Sequence, residues 1–344
     1  MKIMEDFNLE AVWSFTARHL TQTVNQIPNV WGYLGELNYA PGEGVDTTVV
    51  EIARTSEGVR VLPAVTRGGP ASTKKGPKED AIYIEIPSFP QTHTITPGDV
   101  QDWLKKANRE INPVTLEQSL ADRLESLRKD HDYTLEYQRV GSAKGKLIDG
   151  AGNELLDLFE AFGVVQKTVD FALDDPTTNV RAKCNEVKAY QRANLQGETM
   201  SGAEMLVDSG FFDAFVEHPN VEKYWLNHVE ALALAHMDAK GPYGREFTFG
   251  GLHLREYDAS VNLYDGSAVP MIGADQGHAF PVGTQDAWQT YFGPPHDIRF
   301  ANAGGLEIYM SQEMLKHGAG VELKSESCPL AVFRRPNLLV GVTA

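Results

Sequence analysis

The stretch from Pro113 to about Gly141 reads as one unbroken helix, and its length constrains everything around it. Asn112 is a cap residue, and Pro113 suits the first helical position, where a missing N–H removes no helix bond. Leu116, Leu120, Leu124, Leu127 and Leu135 fall three or four apart wherever the stripe is unbroken, with His131 as its one polar member. Glu117, Asp122, Arg123, Glu125, Arg128, Lys129, Asp130 and Asp132 lie between them, which predicts a second face that is solvated or meets another polar surface. About 28 residues at 1.5 Å each give a rod of roughly 40 Å, longer than an ordinary globular helix. The segments upstream are extended and broken by Gly and Pro, so no compact partner for the rod precedes it. A single subunit built this way leaves much surface unfinished, which points to an assembly.

Those upstream segments read as an arm and a long excursion. Residues 8–27 predict a short amphipathic helix carried by Leu9, Val12, Phe15, Leu20, Val24 and Ile27, ended by Pro28. Residues 30–45 look irregular, with a turn at Pro41-Gly42-Glu43-Gly44. Residues 47–53 predict a strand, 59–63 a return, and 81–87 a further strand. Residues 66–78 carry Arg67, Lys74, Lys75 and Lys78 and no acid, in a chain whose net charge is −16. The excursion 46–87 is therefore a two-stranded ribbon with a basic tip. Such a ribbon is marginal alone in water and must lie on something.

Downstream, helices and strands mix in α+β fashion. Residues 144–149 and 154–159 flank Asp149-Gly150-Ala151-Gly152, a hairpin signal. Helices are expected at 178–196, 203–217 and 220–238, with Pro219 dividing the last two. Strands are expected at 247–256, 260–264, 271–272, 306–310, 321–324, 330–333 and 338–342.

At 344 residues the chain exceeds one usual core, so two domains with extensions are the expectation. Apolar content of 42% and charged content of 23% describe a globular protein in water, with no window long and apolar enough for a membrane span and no secretory signal at 1–8. Cys184 and Cys328 are too few for a disulfide framework and fit a reducing, cytoplasmic setting. The acidic balance disfavours phosphate binding as the main activity, since that needs clustered Lys and Arg.

Chemistry is sparse. His228 and His236 stand eight apart on one helix pattern, whereas helical metal chelation wants four. His278 and His296, with Asp275 and Asp297, lie in a Gly- and Pro-rich stretch and define the alternative reading, a soluble metal-dependent enzyme using histidines near 278–296. No nucleophile elbow, phosphate loop or dinucleotide fingerprint is present. The basic tip at 66–78 is either a solvated loop or an intersubunit contact; it lacks the aromatic residues that stack nucleic-acid bases.

Several stretches, in order along nearly the whole chain, carry a resemblance: LTQTVNQIPNVWGYLGEL (20–37), VDTTVVEIARTSEGVRVLPAVTRGGP (45–70), AIYIEIPSFPQTHTITPGDVQDW (81–103), KGKLIDGAGNELLDLFEAFGV (144–164), SGFFDAFVEHPNVEKYW (209–225), REFTFGGLHLREYDA (245–259), GHAFPVGTQDAWQTYFGPPHD (277–297) and LEIYMSQEMLKHGAGVELKSESCPLAVFRRPNLLVGV (306–342). Together they resemble the major capsid protein E family of lambda-like tailed phages and prophages, which share the Hong-Kong-97-type coat fold.

The resemblance implies an N-terminal arm at 1–40, an extended loop at 41–95, a peripheral domain at 96–162 and 300–328 with the long helix as its spine, and an axial domain at 163–299 and 329–344. It implies a shell protein of the virion, assembled in the host cytoplasm with itself as partner in pentamers and hexamers. Portal, scaffolding or decoration proteins would be further partners, and the shell would enclose DNA without sequence-specific binding. No catalysis, metal, cofactor or membrane is implied. Leu116, Leu120, Leu124, Leu127 and Leu135 would pack the spine, and Arg67, Lys74, Lys75 and Lys78 would meet a neighbouring subunit.

Overall fold

A computed structural model describes residues 17–26, 32–55, 79–99, 113–227, 240–241, 244–285, 287–300 and 304–344. Its spine is one helix, Pro113–Lys144, 32 residues and about 48 Å long. The helix runs past two bodies of sheet and packs on both. Toward its start, Leu124 and Leu127 meet Leu20, Val24, Ile95, Met310 and Leu323 in a small core. That core lies between the arm helix Ala17–Gln26 and a three-stranded antiparallel sheet, ordered Tyr309–Met314, Val321–Ser327, Phe89–Ile95. Residues 89–95, read from sequence as the end of the extended loop, are thus an edge strand of this sheet.

The second body is a seven-stranded mixed sheet. Its order is Lys167–Asp170, Val340–Thr343, Gln276–Val282, Gly202–Val207, Leu252–Glu256, Gly244–Phe249, Lys240–Gly241. Strand 202–207 is central, antiparallel to 276–282 and parallel to 252–256. This corrects the expected helix at 203–217, which is a strand followed by the helix Ser209–Glu217. The strand is buried on both faces, so Ala-Glu-Met-Leu-Val shows no alternation and imitates a helical run. Asp208 makes the switch: its carboxylate accepts from Gly210 N and Phe211 N and caps the helix that follows.

Met205 and Val207 point to one side of that sheet, where Phe171, Phe211, Phe215, Cys184 and Phe249 form a core under the helices Val180–Asn194, Ser209–Glu217 and Pro219–Asn227. Leu206 and Phe280 point to the other side, into the core around the last turns of the spine. The expected helix 220–238 is described only as Pro219–Asn227 and the expected helix 8–27 only as Ala17–Gln26; their remaining residues lie outside the described ones. The stretch 247–256 forms two strands rather than one, turning at Gly250-Gly251. Residues 271–272 are buried but outside the strand that ends at Pro270.

A second three-stranded sheet corrects the expected turn at 41–44. Gly42–Gly44 is a strand, parallel to Trp288–Phe292, which pairs on its other side with Pro329–Phe333. The glycines serve close approach rather than turning: a Cβ on Gly44 would overlap the Gly305 carbonyl, and one on Gly305 the Phe292 carbonyl. Beside this crossing stands the ribbon Val49–Thr55 with Glu79–Glu85, antiparallel, with Ile52 opposite Ile82. The expected return strand 59–63 lies outside the described residues.

Candidate assembly surface

Among the described residues, the ribbon is held by one face. Val50, Ile52 and Ile84, with Ile86 just beyond, are buried in the core shared with the end of the spine. On the opposite face Val49 is 40% exposed and Tyr83 67%, and Glu51 and Glu85 are exposed beside them. The side chains alternate across the pleat, so the exposed set shares one surface. A concavity of about 520 Å³ lies at its foot, lined by residues 47–51, Tyr83, Glu43, Val45, Tyr291 and Arg334. The expected contact residues Arg67, Lys74, Lys75 and Lys78 lie outside the described residues.

The arm is fixed to the spine by buried polar groups. Arg128 Nη1 donates to Val24 O at 2.7 Å, and Nη2 donates to Glu307 Oε2 at 3.0 Å. Arg128 Nε faces Asp132 Oδ2 at 3.3 Å, an ion pair not aligned for a hydrogen bond. Thr21 exchanges hydrogen bonds with the backbone of Met310, and Asn25 donates to Ile308 O, so the arm helix closes the outer edge of strand 309–314. Farther along, Glu136 Oε1 accepts from Leu34 N and from Tyr257 OH. Tyr39 donates to Glu204, which pairs with Arg255 Nε at 3.0 Å; Arg255 also meets Glu246 and Tyr33. Arm, spine and central sheet are thereby joined through charge-assisted bonds.

Burial sets the titration of these groups. It raises the Asp132 carboxyl to about 6, against the pull of Arg128, and pushes Glu136 up against the bonds it accepts. It lowers His131 to about 4, so a neutral ring shares its 2.9 Å bond with Ser325 Oγ. The sequence leaves the face holding Arg128 and Asp132 either solvated or against another polar surface; the structure removes the first alternative there, because both are buried, as are His131, Glu136, Gln138, Arg139 and Ser142. The helix is enclosed on several sides from about Leu124 onward, which no amphipathic pattern announces. Leu124, Leu127 and Leu135 are buried; the side chains of Leu116 and Leu120 fall outside the described ones.

The histidines of the enzyme alternative do not converge. His278 stands on the central sheet opposite Leu206 and Gly341, both ring nitrogens buried, its basicity lowered to about 4 by burial and by Lys144. His296 is exposed, and its backbone N–H donates to Glu326 on the other sheet. Asp297 holds Arg299, and Asp275 is exposed at a turn. His228 and His236 lie outside the described residues. Among the described residues no three His, Cys, Asp or Glu side chains are grouped to hold a metal, and no helix is long and apolar enough to cross a membrane. Both cysteines are free and buried, and burial pushes the Cys184 thiol up to about 12.

The model of the family described as phage major capsid protein E matches residues 16–344. The chain is 26% identical over 357 residues to the major capsid protein of Salmonella phage Felix O1, covering 96% of both chains. It is 28% identical over 345 residues to the major capsid protein of Pseudomonas phage KPP10, covering 95% of this chain and 96% of that one. Its fold is similar to the crystal structure assigned to a prophage capsid protein of E. coli CFT073, with a TM-score of 0.59 at 13% identity over 96% of this chain and 99% of that one. Spine helix, extended ribbon and two bodies of sheet are arranged as in the Hong-Kong-97-type coat fold.

Proposed function

The chain belongs to the phage major capsid protein E family and is a major capsid protein of a tailed phage or prophage, not an enzyme; we propose that its copies close, as pentamers and hexamers, into an icosahedral shell around double-stranded DNA. The observation that carries this reading is the ribbon: one face is anchored in the subunit core, while the other, with its aromatic and charged groups, is left uncovered. Heterologous contacts of that kind, head to tail, generate rings when the rotation closes. The stiff spine and its buried polar ties keep the subunit's shape, so changes of angle between five- and six-membered rings fall on the contacts between copies. Many modest contacts per subunit then add through multivalency.

In this reading the basic segment 66–78, with Arg67, Lys74, Lys75 and Lys78, meets an acidic surface of the next subunit. The net charge of −16 suits a container whose wall does not grip phosphate. Assembly takes place in the host cytoplasm, with portal, scaffolding or decoration proteins as further partners.

Each rim-exposed ion pair is worth only about 0.2–1 kcal/mol, but four repeated at every interface shift assembly strongly. Particle yield, followed by light scattering, should fall between about 0.05 and 1 M NaCl as the Debye length shrinks toward about 3 Å. Lys74→Glu/Lys75→Glu/Lys78→Glu should lower the yield at low salt and flatten its salt dependence. Equal assembly of both proteins throughout would mean that the segment is only a solvated loop.

A further inference from the structure

The exposed face of the ribbon has features that a merely solvated face does not need. Its cross-strand pairs are Glu51 opposite Tyr83 and Val49 opposite Glu85. A large aromatic ring, 67% exposed, thus has a carboxylate directly across from it and a second on its own strand two residues on. This combination suits a long-stemmed cation: the ring attracts the charge over its face, the carboxylate takes the hydrogen bond, and the half-exposed Val49 accepts the alkyl stem. The concavity at the foot of the ribbon continues the surface through Glu43, Thr47 and Thr48. Among the described residues that line it, the one cation, Arg334, is already engaged with the Tyr291 hydroxyl, with Nε at 2.9 Å.

The same chain contains a segment of matching chemistry. Residues 66–78 bring four cations and no acid or aromatic residue, and five of the thirteen positions, Gly68, Gly69, Pro70, Gly76 and Pro77, are glycine or proline. The ribbon face supplies the aromatic and acidic groups that the segment lacks; the segment supplies the cations. We infer that the outer face of the ribbon, centred on Glu51, Tyr83 and Glu85, is the seat for the basic segment 66–78 of a second copy of this chain. The inference rests on reading that segment as an intersubunit contact, and it adds the surface that receives it. Every copy then carries one seat and one segment, the head-to-tail arrangement that closes rings. A segment folded onto its own ribbon would occupy both halves of the contact and link nothing.

Charge exchange tests the pairing. Glu51→Lys/Glu85→Lys changes two exposed side chains, so the fold is expected to be kept, and circular dichroism checks it. Alone, this protein and Lys74→Glu/Lys75→Glu/Lys78→Glu should each lose particle yield by roughly tenfold at about 0.1 M NaCl, as expected for several surface ion pairs lost at every interface. Mixed in equal amounts they should regain much of the yield, because alternating copies give each segment of a six-membered ring a seat of opposite sign, while a five-membered ring keeps a single mismatched contact. If the segment variant fails and the face variant assembles normally, the segment docks elsewhere; the seat is overturned while the intersubunit reading stands. If neither variant loses yield, both fall. If both fail and mixing restores nothing, the pairing between copies is wrong. A second readout uses Tyr83→Cys and Lys75→Cys on separate chains, since the native thiols are buried. Oxidising the mixture should give a band at twice the subunit mass. Intrachain linkage alone, in a chain carrying both changes, would overturn the inference.

Discussion

Arg128 is the side chain whose loss should say most about how the arm is held. It is 4% exposed and ties three elements, through Val24 O, Asp132 and Glu307. Arg128→Met keeps the apolar stem and removes the charge. The hydrogen bond to Val24 O is charge-assisted and contributes about 1.5–3 kcal/mol. Asp132, only 5% exposed, loses its counter-charge, and breaking a buried pair from one side typically costs about 3–5 kcal/mol in all. Glu307 is half exposed and returns to water at little cost. The total should therefore be about 3–5 kcal/mol at pH 8, read by urea unfolding of the soluble subunit.

The pH dependence carries the mechanism. The folded carboxyl of Asp132 is raised from 3.8 to about 6, so its contribution is fully favourable below the unfolded value and is lost as pH rises through about 6. Acidification from about pH 8 to about pH 5 thus favours the native state at this site in both proteins. It favours the variant more, because an unpaired Asp132 has the larger charge to shed. The gap between the two should narrow at pH 5 to about the value of the Val24 bond. Arg128→Met/Asp132→Leu should lose less than Arg128→Met alone at pH 8. A gap unchanged with pH would show that the Asp132 pairing contributes nothing, and no loss at all would refute the tie.

Leu124→Asp should abolish folding, since it places a charge among Leu20, Val24, Ile95 and Met310 at a cost of several kcal/mol; Glu125→Gln removes only an exposed pair with Lys129 and should shift stability by less than about 0.5 kcal/mol. Both are checked by circular dichroism melting, and a soluble, normally melting Leu124→Asp protein would mean the helix face is wrongly assigned. Gly305→Ala should destabilise by at least about 2 kcal/mol, because its Cβ would overlap the Phe292 carbonyl where strand 42–44 crosses. A melting temperature equal to that of the unchanged protein would contradict that packing.

The elements that sequence made legible are those whose own residues enforce them. Asn112-Pro113 and the leucine stripe mark the spine, which ends three residues beyond the expected Gly141. Asp149 accepts from Ala151 N, Asn153 N and Asn153 Nδ2, so the hairpin after the spine is written in one side chain. Strand 202–207 was illegible because burial on both faces erases the period that would betray it. The strand at 42–44 hid behind glycines that read as a turn but exist for the close approach of Gly305. Strands 276–282 and 288–292 hid in a stretch whose Gly, Pro and His suggested loop chemistry.

The surface was half legible. The need for a partner followed from a ribbon that cannot stand alone, and the basic segment from its charge. The exposed groups around Tyr83 were invisible, because only the register across two strands brings Glu51 opposite Tyr83. The face of Arg128 and Asp132 stayed open between water and another polar surface, and the buried tie at Glu136 was not read at all, since a polar side chain looks the same in sequence whether water or a buried partner satisfies it.

Electron microscopy of the purified chain, beside a chain lacking 66–78, tests the central claim most directly. The full chain should form closed shells of uniform diameter, and the shortened chain should remain helical and soluble but give open fragments or free capsomers. Small oligomers alone from the full chain, or closed shells of the same diameter and yield from the chain lacking 66–78, would contradict the account.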